Sequence, residues 1–142
     1  MKMLEKLLEQ LRDDWVFVEG KRDKEALAAL GCSRVLTISG NLRLSCDRLE
    51  SQGKVERVFV LTDLDRRGHQ LADAARGELE ARSIKADLMV RKSLGRILKI
   101  KHFEDMKRRY DEMKEESEKG RMRKAVPSNK KGIEKGPFVL FR

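Results

Sequence analysis

Val58-Phe59-Val60-Leu61-Thr62-Asp63-Leu64-Asp65-Arg66-Arg67-Gly68 is an apolar run that stops on two carboxylates, two guanidiniums and a glycine. Consecutive apolar residues closed by turn chemistry describe a strand buried on both faces. Leu71, Ala72, Ala75 and Leu79 then recur at helical spacing, so the strand feeds a helix. The same unit precedes it twice. Trp15-Val16-Phe17-Val18 runs into Glu19-Gly20 and a helical face of Ala26, Leu27 and Leu30, closed by Gly31. Val35-Leu36-Thr37-Ile38 leads to Leu42, Cys46 and Leu49 on a helix closed by Gly53. Ala86 to Val90 is expected as a fourth strand, and Leu4, Leu7, Leu8 and Leu11 mark an amphipathic helix over residues 2–13. This alternation predicts an α/β fold: a mostly parallel, four-stranded, Rossmann-like sheet flanked by helices, with right-handed crossovers.

Beyond this core the pattern changes. Ile97, Ile100, Phe103, Met106, Tyr110 and Met113 recur every three or four residues, which predicts one long helix. Gly120 to Gly136 reads as a loose basic stretch, and Phe138-Val139-Leu140-Phe141 as a terminal strand. Charge follows the same division. Through Val90 the chain holds sixteen basic and sixteen acidic residues; from Arg91 onward it holds seventeen and eight. The whole net charge of +9 therefore belongs to the C-terminal third. The expected organisation is a core with its N-terminal helix over residues 1–90 and a basic helical extension over residues 91–142.

A basic excess of this size points to an acidic partner, nucleic acid above all. Two cysteines, Cys32 and Cys46, exclude a disulfide scaffold and a four-thiolate zinc site, and His69 and His102 are the only histidines. No apolar run approaches the roughly 20 residues that span a bilayer, and the charged start Met1-Lys2-Met3-Leu4-Glu5 lacks a signal-peptide stretch. A cytoplasmic, basic, soluble protein is expected.

The informative carboxylates close strands. In a parallel α/β sheet the ligand crevice lies beyond the carboxyl ends of the strands, where the strand order switches. Glu19 closes the first strand there, and Asp63 and Asp65 close the third. Three carboxylates so placed form an oxygen-only pocket suited to Mg²⁺ or Mn²⁺. Gly20 and Gly68 let the backbone turn and a phosphate approach. Lys21, Arg22, Arg66 and Arg67 set positive charge beside the carboxylates, as needed to grip a phosphodiester. The plain alternative is helix capping: Asp65 for the helix after it, and Asp23 for the one after Gly20.

Val16-Phe17-Val18-Glu19-Gly20-Lys21-Arg22-Asp23 resembles the first motif of the Toprim family, and Val60-Leu61-Thr62-Asp63-Leu64-Asp65-Arg66-Arg67-Gly68 resembles its second, Asp-x-Asp-x-x-Gly after a strand. The wording is most similar to the ribonuclease M-five group, the maturases of 5S ribosomal RNA, and to small stand-alone Toprim proteins. Leu64 stands where the maturases commonly have proline, and His69 where they have an acidic residue. The resemblance covers about residues 15–90. It implies that Asp63 and Asp65 hold a divalent cation, that Glu19 is a further ligand or the acid/base group, that Gly20 and Gly68 shape the turns, and that Asp23 is structural. The implied activity is metal-dependent phosphoryl transfer on nucleic acid, foremost endonucleolytic hydrolysis of RNA rather than DNA.

Affinity in that reading comes from the basic tail, with Arg121, Arg123, Lys124, Lys130 and Lys131 contacting phosphates largely without sequence preference. The leading rival is a non-catalytic nucleic-acid-binding module or accessory subunit, alone, as a homodimer or with a protein partner. Topoisomerase chemistry is disfavoured because the single tyrosine, Tyr110, belongs to an apolar stripe. A phosphoryl-accepting Asp63, as in haloacid-dehalogenase-like phosphatases, is disfavoured by Arg67 where Thr or Val is usual. Membrane docking of the basic helix is disfavoured by the acidic residues along it, Glu104 to Glu116.

Overall fold

In the computed structural model, which describes the backbone of residues 1–125 and the side chains of residues 1–120, the strand–helix units form as the sequence predicts. In chain order these are α1 (Lys2–Arg12), β1 (Trp15–Val18), α2 (Lys21–Ala29), β2 (Val35–Thr37), α3 (Leu42–Glu50), β3 (Arg57–Leu61), α4 (Arg66–Glu80), β4 (Lys85–Asp87), α5 (Met89–Leu98) and α6 (Met106–Ala125). A 3₁₀ turn at Phe103–Asp105 precedes α6.

The four strands are all parallel, in the order β2-β1-β3-β4. β1 and β3 lie side by side in the centre, Trp15 opposite Val58 and Val18 opposite Leu61. Successive side chains on a strand point to opposite faces, and these strands are apolar on both. Val16, Val18, Phe59 and Leu61 join the core beneath α1, α2 and α5, whereas Phe17, Val58 and Val60 join the core beneath α3 and α4. Both cysteines are buried, Cys32 in the first core and Cys46 in the second.

Three expectations change. The fourth strand is shorter, ending at Asp87, because the Asp87 carboxylate accepts the Met89 and Val90 N–H groups at 3.0 and 3.2 Å and starts a helix there. The predicted long helix is two helices. α5 stops at Leu98, Lys99 turns left-handed (φ 57°, ψ 51°), and the chain crosses an irregular turn before α6. Ile100, Phe103 and Met106 are buried by that turn and not by one helical stripe, so their spacing imitates a helix. The backbone of residues 120–125, expected to be loose, is helical; the remaining tail and the stretch expected as a terminal strand lie outside the described residues.

The charge step at Arg91 coincides with no break in packing. One continuous core runs from Leu4 of α1 to Met106 of α6, and Arg91, inside α5, is itself 5% exposed. Strand order reverses between β1 and β3: β1 connects outward to β2, while β3 connects the opposite way to β4. A crevice is therefore expected at the carboxyl ends of these two central strands.

Candidate metal centre

Glu19 directly follows β1, and Asp63 lies two residues beyond β3. The Asp63 N–H donates to Glu19 Oε2 at 2.7 Å, tying the ends of the two central strands together. The Asp63 carboxylate is held from the other side by the turn between α5 and α6. Its Oδ1 accepts the Phe103 N–H at 3.0 Å and its Oδ2 lies 3.2 Å from His102 Nδ1. The same turn is anchored by Leu64, whose N–H donates to the Lys101 carbonyl at 2.7 Å. Asp65 caps α4, its Oδ1 accepting the Gly68 N–H at 2.7 Å from an extended backbone.

One ligand atom each from Asp63, Asp65 and His102 falls within 4.8 Å of the others. The sequence leads one to expect Glu19, Asp63 and Asp65 as the triad. The structure brings the two aspartates together with His102, and puts Glu19 beside them on the Asp63 main chain. Capping and ligation are compatible, because a carboxylate oxygen that accepts one hydrogen bond keeps a second lone pair. Two carboxylates and an imidazole suit Mn²⁺ better than Mg²⁺, which prefers oxygen ligands alone.

Asp23 is bound to the start of its own helix. Its Oδ2 accepts the Gly20 N–H at 3.0 Å, closing the first turn of α2. Burial pushes its carboxyl up to about 6, against the pull of the Gly20 hydrogen bond and with further upward pressure from Asp63 and Glu19. His102 is raised above the usual imidazole value, mainly by its hydrogen bond to Asp63.

The two glycines differ. A Cβ on Gly68 would overlap the Asp63 main-chain carbonyl, and the Gly68 carbonyl accepts the Thr62 hydroxyl at 2.7 Å. Only glycine lets α4 start this close to the Asp63 loop. Gly20 is extended (φ −143°) with open space around its Cβ position, so neither backbone strain nor crowding requires glycine there. Lys21 and Arg22 sit exposed on the first turn of α2, and Arg66 and Arg67 on that of α4. Arg121, Arg123 and Lys124 lie on the α6 backbone with side chains outside the described residues, as are Lys130 and Lys131 altogether.

Arg91 was not among the residues the sequence singles out. Its Nε donates to the Thr62 carbonyl and its Nη2 to the Asp63 carbonyl, both at 2.7 Å, and Nη2 lies 2.9 Å from His69 Nδ1. Burial pulls this guanidinium below its ordinary value while Glu19, Asp63 and Asp65 oppose the shift. A signal existed: Arg91, Leu94 and Leu98 share i, i+3, i+7 spacing, so a cation stands on an apolar stripe. For His102 the signal was masked by the apparent helical rhythm of Ile100, Phe103 and Met106 around it.

No family model matches the chain. It is similar to a UPF0292 protein of Methanocaldococcus jannaschii, 36% identical over 93 residues, covering 64% of this chain and 72% of the relative. A UPF0292 protein of Thermococcus onnurineus is 38% identical over 109 residues, covering 74% of this chain and 81% of the relative. Among solved structures, an Aquifex aeolicus protein matches with a TM-score of 0.63 and 30% identity, over 72% of this chain and 96% of that one. Among the described residues, no helix is long and apolar enough to cross a membrane.

Proposed function

The chain belongs to the UPF0292 family, and we propose that this member is a Toprim-type protein that uses a divalent cation to hydrolyse nucleic-acid phosphodiesters, RNA first among them. The observation that carries the reading is the convergence of Asp63, Asp65 and His102 within 4.8 Å, beside Glu19, at the strand-order switch. When bound, Mg²⁺ or Mn²⁺ would neutralise phosphoryl charge and activate water. The chain's own residues supply the rest. Asp63 and Asp65 hold the cation with His102, and Glu19, oriented by the Asp63 N–H, accepts or relays a proton. Lys21, Arg22, Arg66 and Arg67 flank two helix N-termini, where free N–H groups and the helix dipole favour phosphate.

Both departures from the maturase wording have a local use. The Leu64 N–H, which proline would lack, bonds Lys101 and so docks the turn carrying His102. His69, in place of an acidic residue, pairs with Arg91. These contacts favour a stand-alone Toprim protein with its own substrate over a 5S maturase. A binding module without catalysis is the second reading, favoured by the hydrogen bonds that already engage Asp63 and Asp65 within the fold.

Incubating the full chain with structured RNA, single-stranded DNA and duplex DNA, with and without Mg²⁺ or Mn²⁺, tests the proposal. Cation-dependent cleavage that the Asp63→Asn/Asp65→Asn double variant loses is the expected result. Binding without cleavage selects the second reading, and equal cleavage by wild type and double variant overturns the catalytic one.

A further inference from the structure

We infer that Arg91 is a positioning residue for Asp63: its guanidinium bridges the two peptide groups on either side of the Asp63 Cα and so fixes the direction in which that carboxylate leaves the chain. The peptide between Thr62 and Asp63 is bonded at both ends, its carbonyl accepting the Arg91 Nε–H at 2.7 Å and its N–H donating to Glu19 Oε2 at 2.7 Å. The peptide between Asp63 and Leu64 is held likewise. Its carbonyl accepts from Arg91 Nη2 at 2.7 Å and its N–H donates to the Lys101 carbonyl at 2.7 Å. Peptide groups are planar, so two dihedrals at Asp63 are all that relate one plane to the other. With both planes held, those dihedrals and the Cα–Cβ direction follow. The carboxylate then meets the Phe103 N–H, His102 and Asp65.

Packing does not account for this residue. Arg91 is 5% exposed on a helix whose positions Leu94 and Leu98 are fully buried and apolar. A buried guanidinium costs desolvation, and an apolar side chain of similar volume often stabilises a core as well or better. Arginine suits the place for another reason. Its donors lie in a rigid planar fork, so two of them reach two acceptors at a fixed separation, whereas lysine offers one point charge on a flexible stem. The far side of the bridge has no slack. A Cβ on Gly68 would overlap the Asp63 carbonyl, and the Thr62 hydroxyl donates to the Gly68 carbonyl at 2.7 Å. The Asp63 main chain is thus clamped between Arg91 of α5 and the first turn of α4. The consequence for cation affinity rests on the function proposed above; the clamp does not.

Amide hydrogen exchange of the full chain in EDTA reads the clamp without any cation. Arg91→Lys, which keeps the charge and loses the fork, is expected to speed exchange at Asp63 and Leu64 about tenfold relative to the β1–β3 ladder. Val90→Ala, a core loss one residue away, is expected to leave that ratio at its wild-type value. An unchanged ratio in Arg91→Lys, or an equal rise in Val90→Ala, overturns the assignment. In the wild type itself the Arg91 Nε–H is expected to exchange slowly, and a fast one overturns the bridge even if the lysine variant does not fold.

Calorimetric Mn²⁺ titration reads the consequence. Groups that orient a ligand typically carry 10–100-fold in metal affinity, so Arg91→Lys is expected to bind about tenfold more weakly and Val90→Ala as the wild type does. Equal affinity in Arg91→Lys and wild type overturns the role of Arg91 in cation binding. A wild type that takes up no Mn²⁺ overturns the proposed function and not the clamp, which the exchange ratio decides.

Discussion

Asp65 accepts the Gly68 N–H through Oδ1 and also faces Asp63 and His102, so one carboxylate has both a folding role and a candidate chemical one. The two separate by substitution. Asp65→Ala removes the cap and is expected to cost about 1 kcal/mol, read from the urea midpoint. Asp65→Asn keeps an equally good cap but loses the charge. Its stability should match the wild type while calorimetric Mn²⁺ affinity falls; unchanged affinity would reduce Asp65 to a cap. Asp23 gives a pH signature. Its carboxyl titrates near 3.8 when unfolded and near 6 when folded. Between those values the folded state holds more protons, so stability falls as pH rises through the window and levels off above it. Asp23→Asn, which keeps an acceptor for the Gly20 N–H, should abolish the fall. Its advantage over wild type should grow between pH 4 and pH 7 by on the order of 2–3 kcal/mol, measured as a midpoint difference.

Between α5 and α6 the chain trades helix for contact. Lys99 occupies the left-handed region, Arg109 Nε donates to the Leu98 carbonyl at 2.8 Å, and the residues that follow bond Asp63 and Leu64. A continuous helix would satisfy its own backbone but leave the Asp63 carboxylate without the Phe103 N–H. Left-handed backbone costs an L-residue roughly 1–2 kcal/mol, part of which glycine returns as greater freedom when unfolded. Lys99→Gly is therefore expected to stabilise the fold by about 0.5 kcal/mol in urea titration, with Mn²⁺ affinity unchanged. This break was illegible in sequence because buried residues on an irregular turn fell at helical intervals. The strand–helix units were legible, since a strand buried on both faces leaves an uninterrupted apolar run, as in Val58 to Leu61.

Across the whole molecule, charge and packing divide the chain differently. A chain ending at Val90 would keep every strand among the described residues yet lose Leu94, Leu98, Phe103 and Met106, each fully buried. Removing these four side chains, at roughly 2–5 kcal/mol each, is as large as the roughly 5–15 kcal/mol that typically holds a domain together. That fragment is expected to show no cooperative unfolding by circular dichroism, whereas a chain ending at Ala125 keeps its midpoint. The shorter basic tail of the latter should lower the slope of log affinity against log salt for RNA; an equal slope would remove the tail from phosphate binding.

Periodicity and turn residues determined the α/β class, the parallel sheet and the placement of Glu19, Asp63 and Asp65 at strand ends, because these depend on neighbours along the chain. Tertiary structure alone decided that His102 joins the two aspartates and that Arg91 supports their loop. Those partners arrive from 28 or more residues away, through a turn whose conformation is fixed by the groups it bonds and not by its own sequence.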